Sequence, residues 1–360
     1  MRKIFFTPGP TELYYTVEGH IKTALNEQIP SISHRGSEFK RLFQQASEHL
    51  RLLLNIPDGF EILFTSSATE VWEHLVRNCV KYEIAHLVNG VFSRRAWEYS
   101  GLIGLRNEMI EAVDGSCSEP NETKISDSCE LIMITHNESS TGVAYPIEFL
   151  KEVRRKYPKQ IIAVDGVSSV PIPEFDFNDI DSLYFSVQKS FGLPAGLGVW
   201  IVGPKCIQKS EQLRKSGVCI GTYRALPTMV KRVKAYQTIE TPNILGIYLL
   251  GKVAEDMLIK GIDQIRRESK YKAAVLYQTI LDHPDLEAFV NNPKYRSETV
   301  VVAKTFGFTE HFINKLDNHG MVISSGYGEY KTQHIRIANF PTHSKEIVET
   351  ISDLLSTVHR

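Results

Sequence analysis

Three chemically loaded points stand where apolar runs of this chain stop. Lys189 follows Gln188 at the end of Leu183-Tyr184-Phe185-Ser186-Val187 and precedes the glycine- and proline-rich stretch Phe191–Gly198. Burial lowers a lysine's pKa and frees its amine for attack on a carbonyl; a lysine that snorkels to the surface stays protonated. Asp165 closes the run Ile161-Ile162-Ala163-Val164. A carboxylate there either caps the next loop or accepts a proton-bearing ligand nitrogen, because an unpaired charge at a buried strand end is costly. Thr65-Ser66-Ser67-Ala68-Thr69 comes between Glu61-Ile62-Leu63-Phe64 and a helical pattern. Hydroxyls and unpaired amides at a helix start either cap the helix or cradle a phosphate. The segment is neither G-x-x-x-x-G-K-[ST] nor G-x-G-x-x-G, so those routes to ATP and NAD are not supported.

Taken together, a phosphate cup, a carboxylate and a nucleophilic lysine are the parts that pyridoxal phosphate (PLP) requires. The aldehyde condenses with the lysine, the ring nitrogen stays protonated beside the aspartate, and the phosphate sits on the helix start. No metal is expected.

The elements that must position these groups alternate. Strand patterns at Glu61–Phe64, Ile84–Val88, Leu131–Ile134, Gln160–Val164, Ser182–Ser186 and Val199–Val202 are separated by helical ones, among them Phe92–Ile103 and Ile147–Tyr157. Continuous apolar strands between helices predict an α/β fold with a mainly parallel sheet covered on both faces. In such a sheet ligands bind beyond the carboxyl ends of the strands. Asn89-Gly90, His136-Asn137-Glu138-Ser139, Asp165 and Gln188-Lys189 all fall there. From Ile244 to Leu281 the reading is helical, followed by short strands at Thr299–Ala303 and His334–Ala338. The expected division is a large domain over 15–251 and a smaller C-terminal α+β domain over 252–360, joined by 1–14. Asp114–Ser128 reads as a surface excursion.

The chain has 360 residues, with 41 Lys+Arg against 42 Asp+Glu, a formal charge of −1. That balance offers no footprint for nucleic acid or an anionic membrane. No apolar run approaches a membrane span, and Ile4-Phe5-Phe6 is too short for a signal-peptide core. Five scattered cysteines without a C-x-x-C pair suit reduced thiols and a cytoplasmic location.

Several segments, in order, resemble the class V aminotransferases of PLP fold type I, which include the alanine–glyoxylate/serine–pyruvate and phosphoserine aminotransferases. They are Thr7-Pro8-Gly9-Pro10-Thr11, Ser33-His34-Arg35-Gly36-Ser37-Glu38-Phe39, Asn89–Ala96, His136-Asn137-Glu138-Ser139-Ser140-Thr141-Gly142, Val164–Ser169 and Ser186-Val187-Gln188-Lys189. The resemblance implies the PLP-transferase fold with a seven-stranded type of sheet. It makes Lys189 the Schiff-base lysine and proton shuttle, and Asp165 the partner of the ring nitrogen. Phe92 becomes the aromatic stacked on the ring, which leaves Trp72 as a helix core residue. Ser67, Ala68, Thr69 and Gln188 hold the phosphate, and Ser139 offers a hydroxyl near the ring oxygen. Thr241 matches a phosphate contact supplied by a second subunit, implying a homodimer. Arg336 matches the fork for the substrate α-carboxylate, with His34 and Arg35 also on the substrate side.

The chain departs from the phosphoserine enzymes before Arg336. It reads Gly326-Tyr327-Gly328-Glu329-Tyr330-Lys331, without their His-Arg pair. A carboxylate at ~4 Å would oppose a phosphate by roughly 4 kcal/mol at an effective dielectric of about 20. The expectation is therefore transfer from a small neutral donor, alanine or serine, to glyoxylate or pyruvate. The alternatives are a phosphoserine:2-oxoglutarate aminotransferase, a cysteine desulfurase-like lyase, or an inactive PLP-binding protein. No cysteine follows Cys219, which leaves the small domain without the thiol a desulfurase needs.

Overall fold

The structure is a computed structural model and describes residues 2–121 and 123–359. Glu122, inside the expected surface excursion, lies outside the described residues.

Seven strands form one sheet. In spatial order they are Glu61–Thr65, Gly198–Val202, Ser182–Ser186, Ile161–Asp165, Leu131–Thr135, Glu83–Val88 and Arg106–Glu111. All pair in parallel except Gly198–Val202, which runs antiparallel to both neighbours. Helices on both faces explain why the inner strands are buried along their whole length and read as unbroken apolar runs. Glu61–Thr65 and Arg106–Glu111 are the two edge strands. The first is almost wholly buried; the second, RNEMIE, is partly exposed and polar, so it does not stand out as an apolar run.

A second sheet orders Glu287–Ala288, Val300–Lys304, His334–Ala338 and Ser324–Ser325, all antiparallel. Helices Ile262–Asp282, Thr309–Asp317 and Lys345–Ser356 pack their apolar faces on it. Residue 252 falls inside the helix Ile244–Lys260, whose Leu250, Val253, Ala254 and Met257 belong to the large core. The change of partner comes in the next helix, where Ala273, Leu276 and Ile280 join the second sheet's core.

The N-terminus links the two sheets. Ile4–Phe5 pairs in parallel with Met321–Val322, and Phe6 stacks on His343 with ring centroids 4.4 Å apart. The chain then crosses to the large sheet, where Thr11 N–H donates to the Gln188 carbonyl at 3.2 Å. Gly9 lies on this crossing with φ +137°, and a Cβ there would stand 2.9 Å from Lys189 Cε. Only glycine lets the segment lie this close along the lysine stem.

Candidate active site

The strand ends bring the charged groups together. Asp165 ends its strand beside Tyr184 of the next one. Its Oδ1 accepts from Val167 N–H at 2.9 Å, and its Oδ2 from Trp72 Nε1 at 3.4 Å. Burial raises its pKa to about 6, with the Val167 amide, Lys189 and Trp72 opposing that rise. Lys189 is 8% exposed and its pKa falls to about 8, chiefly through burial, with Asp165 opposing and Arg336 adding to the fall. Lys189 Nζ stands 5.4 Å from the centre of the Phe92 ring. Among the described residues neither Lys189 nor Asp165 has an ion-pair partner within 4 Å.

Glu138 organises the floor. It is fully buried, and its Oε2 accepts from Phe92 N–H at 3.0 Å, Ser93 N–H at 2.9 Å and the Ser93 hydroxyl at 3.1 Å. Its Oε1 accepts from Ser140 N–H at 3.1 Å and the Ser140 hydroxyl at 2.7 Å. A carboxylate thus caps the helix Val91–Leu102 and fixes where Phe92 leaves it. Gly90 makes room: a Cβ there would lie 2.4 Å from Glu138 Cγ.

Arg336 reaches the same place from the second sheet. It is 9% exposed; its Nε donates to the Ser325 carbonyl at 2.8 Å and its Nη1 to the Ser139 carbonyl at 3.2 Å. Burial lowers its pKa to about 10. Its guanidinium carbon lies 5.3 Å from the Tyr327 ring centre, and that ring lies 5.2 Å from Phe92. Ser139 therefore engages Arg336 through its carbonyl, and its side chain is buried.

At the helix start Ser67 is the N-cap of Ala68–Cys79, its hydroxyl accepting from Glu70 N–H at 3.4 Å. The Ala68 amide donates to the Ser186 hydroxyl at 2.9 Å, which ties the cup to the strand leading to Lys189. Ser67 and exposed Thr69 line a surface cavity of about 500 Å³ together with Glu70 and Arg77. Gln188 is half-buried next to Lys189.

Three expected residues lie elsewhere. Arg35 donates through Nη1 to the Thr238 carbonyl at 2.7 Å and through Nη2 to the Ile239 carbonyl at 3.2 Å. Half-buried His34 precedes it, and Thr241, exposed, follows the segment that Arg35 holds. Among the described residues no hydrogen bond or ion pair joins any of the three to Lys189, Asp165 or Arg336.

The sequence reading missed Glu138, Ser186, Tyr184 and Tyr327, and saw Trp72 only as core. Trp72 is buried core and also a donor to Asp165. Glu138 carried a signal, a charge at the end of an apolar strand inside a segment already singled out. Tyr184 carried none, because its place beside Asp165 depends on strand order.

This strand order, with a lysine and an aspartate buried at the strand ends, defines the fold type I PLP enzymes as a class. The sequence profile named Aminotransferase class-V matches residues 6–333. A solved phosphoserine aminotransferase from Cytophaga hutchinsonii is 44% identical, covers 98% of both chains and superposes with a TM-score of 0.96. The phosphoserine aminotransferase of Rhodococcus opacus is 26% identical over 341 residues, 91% of this chain and 87% of its own. An alanine–glyoxylate aminotransferase from Nostoc, 18% identical with a TM-score of 0.80 over 100% of this chain and 96% of its own, shares the fold. The chain belongs to the class V aminotransferases and is a PLP-dependent transaminase, whose substrates are amino and oxo acids. No helix among the described residues is long and apolar enough to cross a membrane.

The residues present fit PLP. Among the described residues the buried amine and the buried carboxylate make no direct ion pair, and an aldehyde and a protonated ring nitrogen would respectively satisfy them. The Phe92 ring beside Lys189 offers a face for an aromatic ring.

Proposed function

We propose that this chain transfers the amino group of phosphoserine to a 2-oxo acid, with 2-oxoglutarate as the acceptor. The observation that carries this reading is the 44% identity to the Cytophaga phosphoserine aminotransferase over 98% of both chains. The neutral-donor expectation rested on Glu329 lying close to a bound phosphate. Glu329 is exposed in the turn Gly328–Tyr330, and it is Tyr327 whose ring faces Arg336. The Coulomb penalty assumed for Glu329 therefore loses its short distance. A desulfurase is disfavoured by its thiols: four of the five are buried, burial pushing Cys129 up to about 12, and the exposed one, Cys219, lies outside the expected small domain over 252–360.

PLP, when bound, supplies an aldehyde for the amine and a ring that takes up the electron pair left by the departing α-proton. In this reading Lys189 is the nucleophile, and its Nζ, with a pKa near neutrality, then carries the α-proton. Asp165 holds the proton on the ring nitrogen, and Phe92 backs the ring. Arg336 forks the substrate carboxylate while its other bonds, to Ser325 and Ser139, fix its plane. Ser67, Ala68, Thr69 and Gln188 hold the cofactor phosphate. Thr241 of the partner subunit completes that cup, and His34 and Arg35 serve the substrate end across a homodimer interface. The scattered thiols support a cytoplasmic setting.

Steady-state comparison of phosphoserine, serine and alanine as donors tests the reading. Expected is a kcat/KM for phosphoserine ~100-fold or more above the other two, since a site built for a dianion leaves its cations unpaired without one. A serine or alanine value equal to or above that of phosphoserine overturns it.

A further inference from the structure

A cavity of about 420 Å³ opens on the seam between the two sheets, and Lys189, Asp165, Phe92 and Arg336 are not among its lining residues. One wall is apolar and comes from the large part: Tyr145, Pro146, Ile147, Ile172 and Pro173. The facing wall is cationic: Arg266, Arg267 and Lys270 on the helix Ile262–Asp282, and Lys294 and Arg296 before the strand Val300–Lys304. Glu298 is the one carboxylate lining it among the described residues.

The cations differ in how far they are engaged. Arg266 donates to the Ile172 carbonyl at 3.0 Å and pairs with Glu174 at 3.2 Å and Asp263 at 3.4 Å. Arg296 is spent on the carbonyls of Val290, at 2.9 Å, and Asn291, at 3.4 Å. Lys294 has Glu119 at 3.9 Å. Arg267 and Lys270 are exposed and have no ion pair within 4 Å among the described residues. His136 also lines the cavity and is 4% exposed. Burial pushes its pKa down to about 4, so the ring is neutral at physiological pH.

The seam around the cavity is firmly stitched. Val143 bridges to Arg296, Ser297 N–H donates to the Gly142 carbonyl at 2.9 Å, and the Thr299 hydroxyl donates to the Ser168 carbonyl at 2.5 Å. The walls are thus held in place, and a volume of this size suits a small metabolite.

We propose that this cavity is a second binding site, for a small organic acid with an apolar body. Arg267 and Lys270 hold its carboxylate, and the wall of Tyr145, Pro146, Ile147, Ile172 and Pro173 takes its body. The apolar wall argues for that body: a bare phosphate or sulfate would leave it facing a charge. The site stands on its own lining residues and does not depend on which amino donor the enzyme uses.

The test is isothermal titration of the holoenzyme with 3-phenylpropionate, with 3-phenylpropanol as the uncharged control. Carboxylates also suit Arg336, so the titration is repeated on Arg336→Ala. Expected is binding of the acid to wild type and Arg336→Ala alike, and about 10-fold or more weaker binding of the alcohol. The double variant Arg267→Glu/Lys270→Glu is expected to lose a similar factor, and Ala144→Phe, which fills the cavity, to lose binding. Retained transaminase activity of these last two reports that they are folded. Binding that disappears in Arg336→Ala and persists in the cavity variants overturns the proposal, because the acid is then in the active site. No binding to wild type at millimolar concentration overturns it as well.

Discussion

Two groups of side chains that the family resemblance assigns to one site sit differently in this chain. Asp165, Lys189 and Arg336 are buried, and burial together with their shared field shifts the pKa of all three. Arg35 and Thr241 are exposed and His34 is half-buried; Arg35 spends its donors on the carbonyls of the segment before Thr241. The first group is complete within one chain because strand ends of one sheet converge and the second sheet adds a single arginine. The second group lies at the surface, with no hydrogen bond or ion pair to the first among the described residues. The contrast separates side chains whose chemistry needs desolvation, which a single core provides, from side chains left in contact with water.

The buried group is tested most harshly by Lys189→Ala. With no nucleophile and no proton carrier at Nζ, turnover should fall by roughly 10⁴-fold or more, and the absorbance of the lysine-bound cofactor should vanish. A variant retaining a tenth of wild-type turnover would break the comparison at its root, since burial of Lys189 would then serve packing alone.

The exposed group is tested by mixing. Arg35→Ala is expected to weaken substrate use by about 10-fold or more, as loss of a charged contact does. If Arg35 serves the other chain's site, co-refolding Arg35→Ala with Lys189→Ala restores activity. Each hybrid dimer then holds one site with Lys189 from one chain and Arg35 from the other, and half the dimers are hybrids. Recovery to about a quarter of wild-type activity is expected. Activity no higher than the mean of the two parent variants would place Arg35 and Lys189 in the same chain's site, or in none.

The same contrast decides what could be read in the sequence. Inner strands such as Ile161–Asp165 and Ser182–Ser186 were legible because burial on both faces keeps their central residues largely apolar. Asp165 and Lys189 were legible for the converse reason, as charges where such runs stop. The edge strand Arg106–Glu111 was not, since half of its surface meets water. Glu138 caps a helix that starts 47 residues earlier at Val91, a relation that exists only once the strand order is known. The turn Gly328–Tyr330 misled, because local sequence does not say that Tyr327 turns inward while Glu329 turns out.

The smallest expected effect concerns the cost of keeping the buried group poised. In the cofactor-free protein Lys189 has a folded-state pKa of about 8 against 10.5 for the free side chain. A lysine depressed in this way binds fewer protons folded than unfolded between those values, so its contribution to stability rises with pH there. Below pH 8 the lysine is charged in both states and the full burial penalty is present. Lys189→Met removes the charge and keeps the stem that packs beside Gly9. The cofactor-free variant should therefore be more stable than cofactor-free wild type at pH 7, by about 2 kcal/mol. The gap should shrink as pH rises from 8 to 10.5. It should widen slightly below about pH 6, where Asp165 takes up a proton and stops attracting Lys189. Urea unfolding of both proteins across this pH range measures the gap. A methionine variant less stable than wild type at pH 7, or a gap that does not vary with pH, would show that Lys189 carries no desolvation penalty and is not held ready for attack.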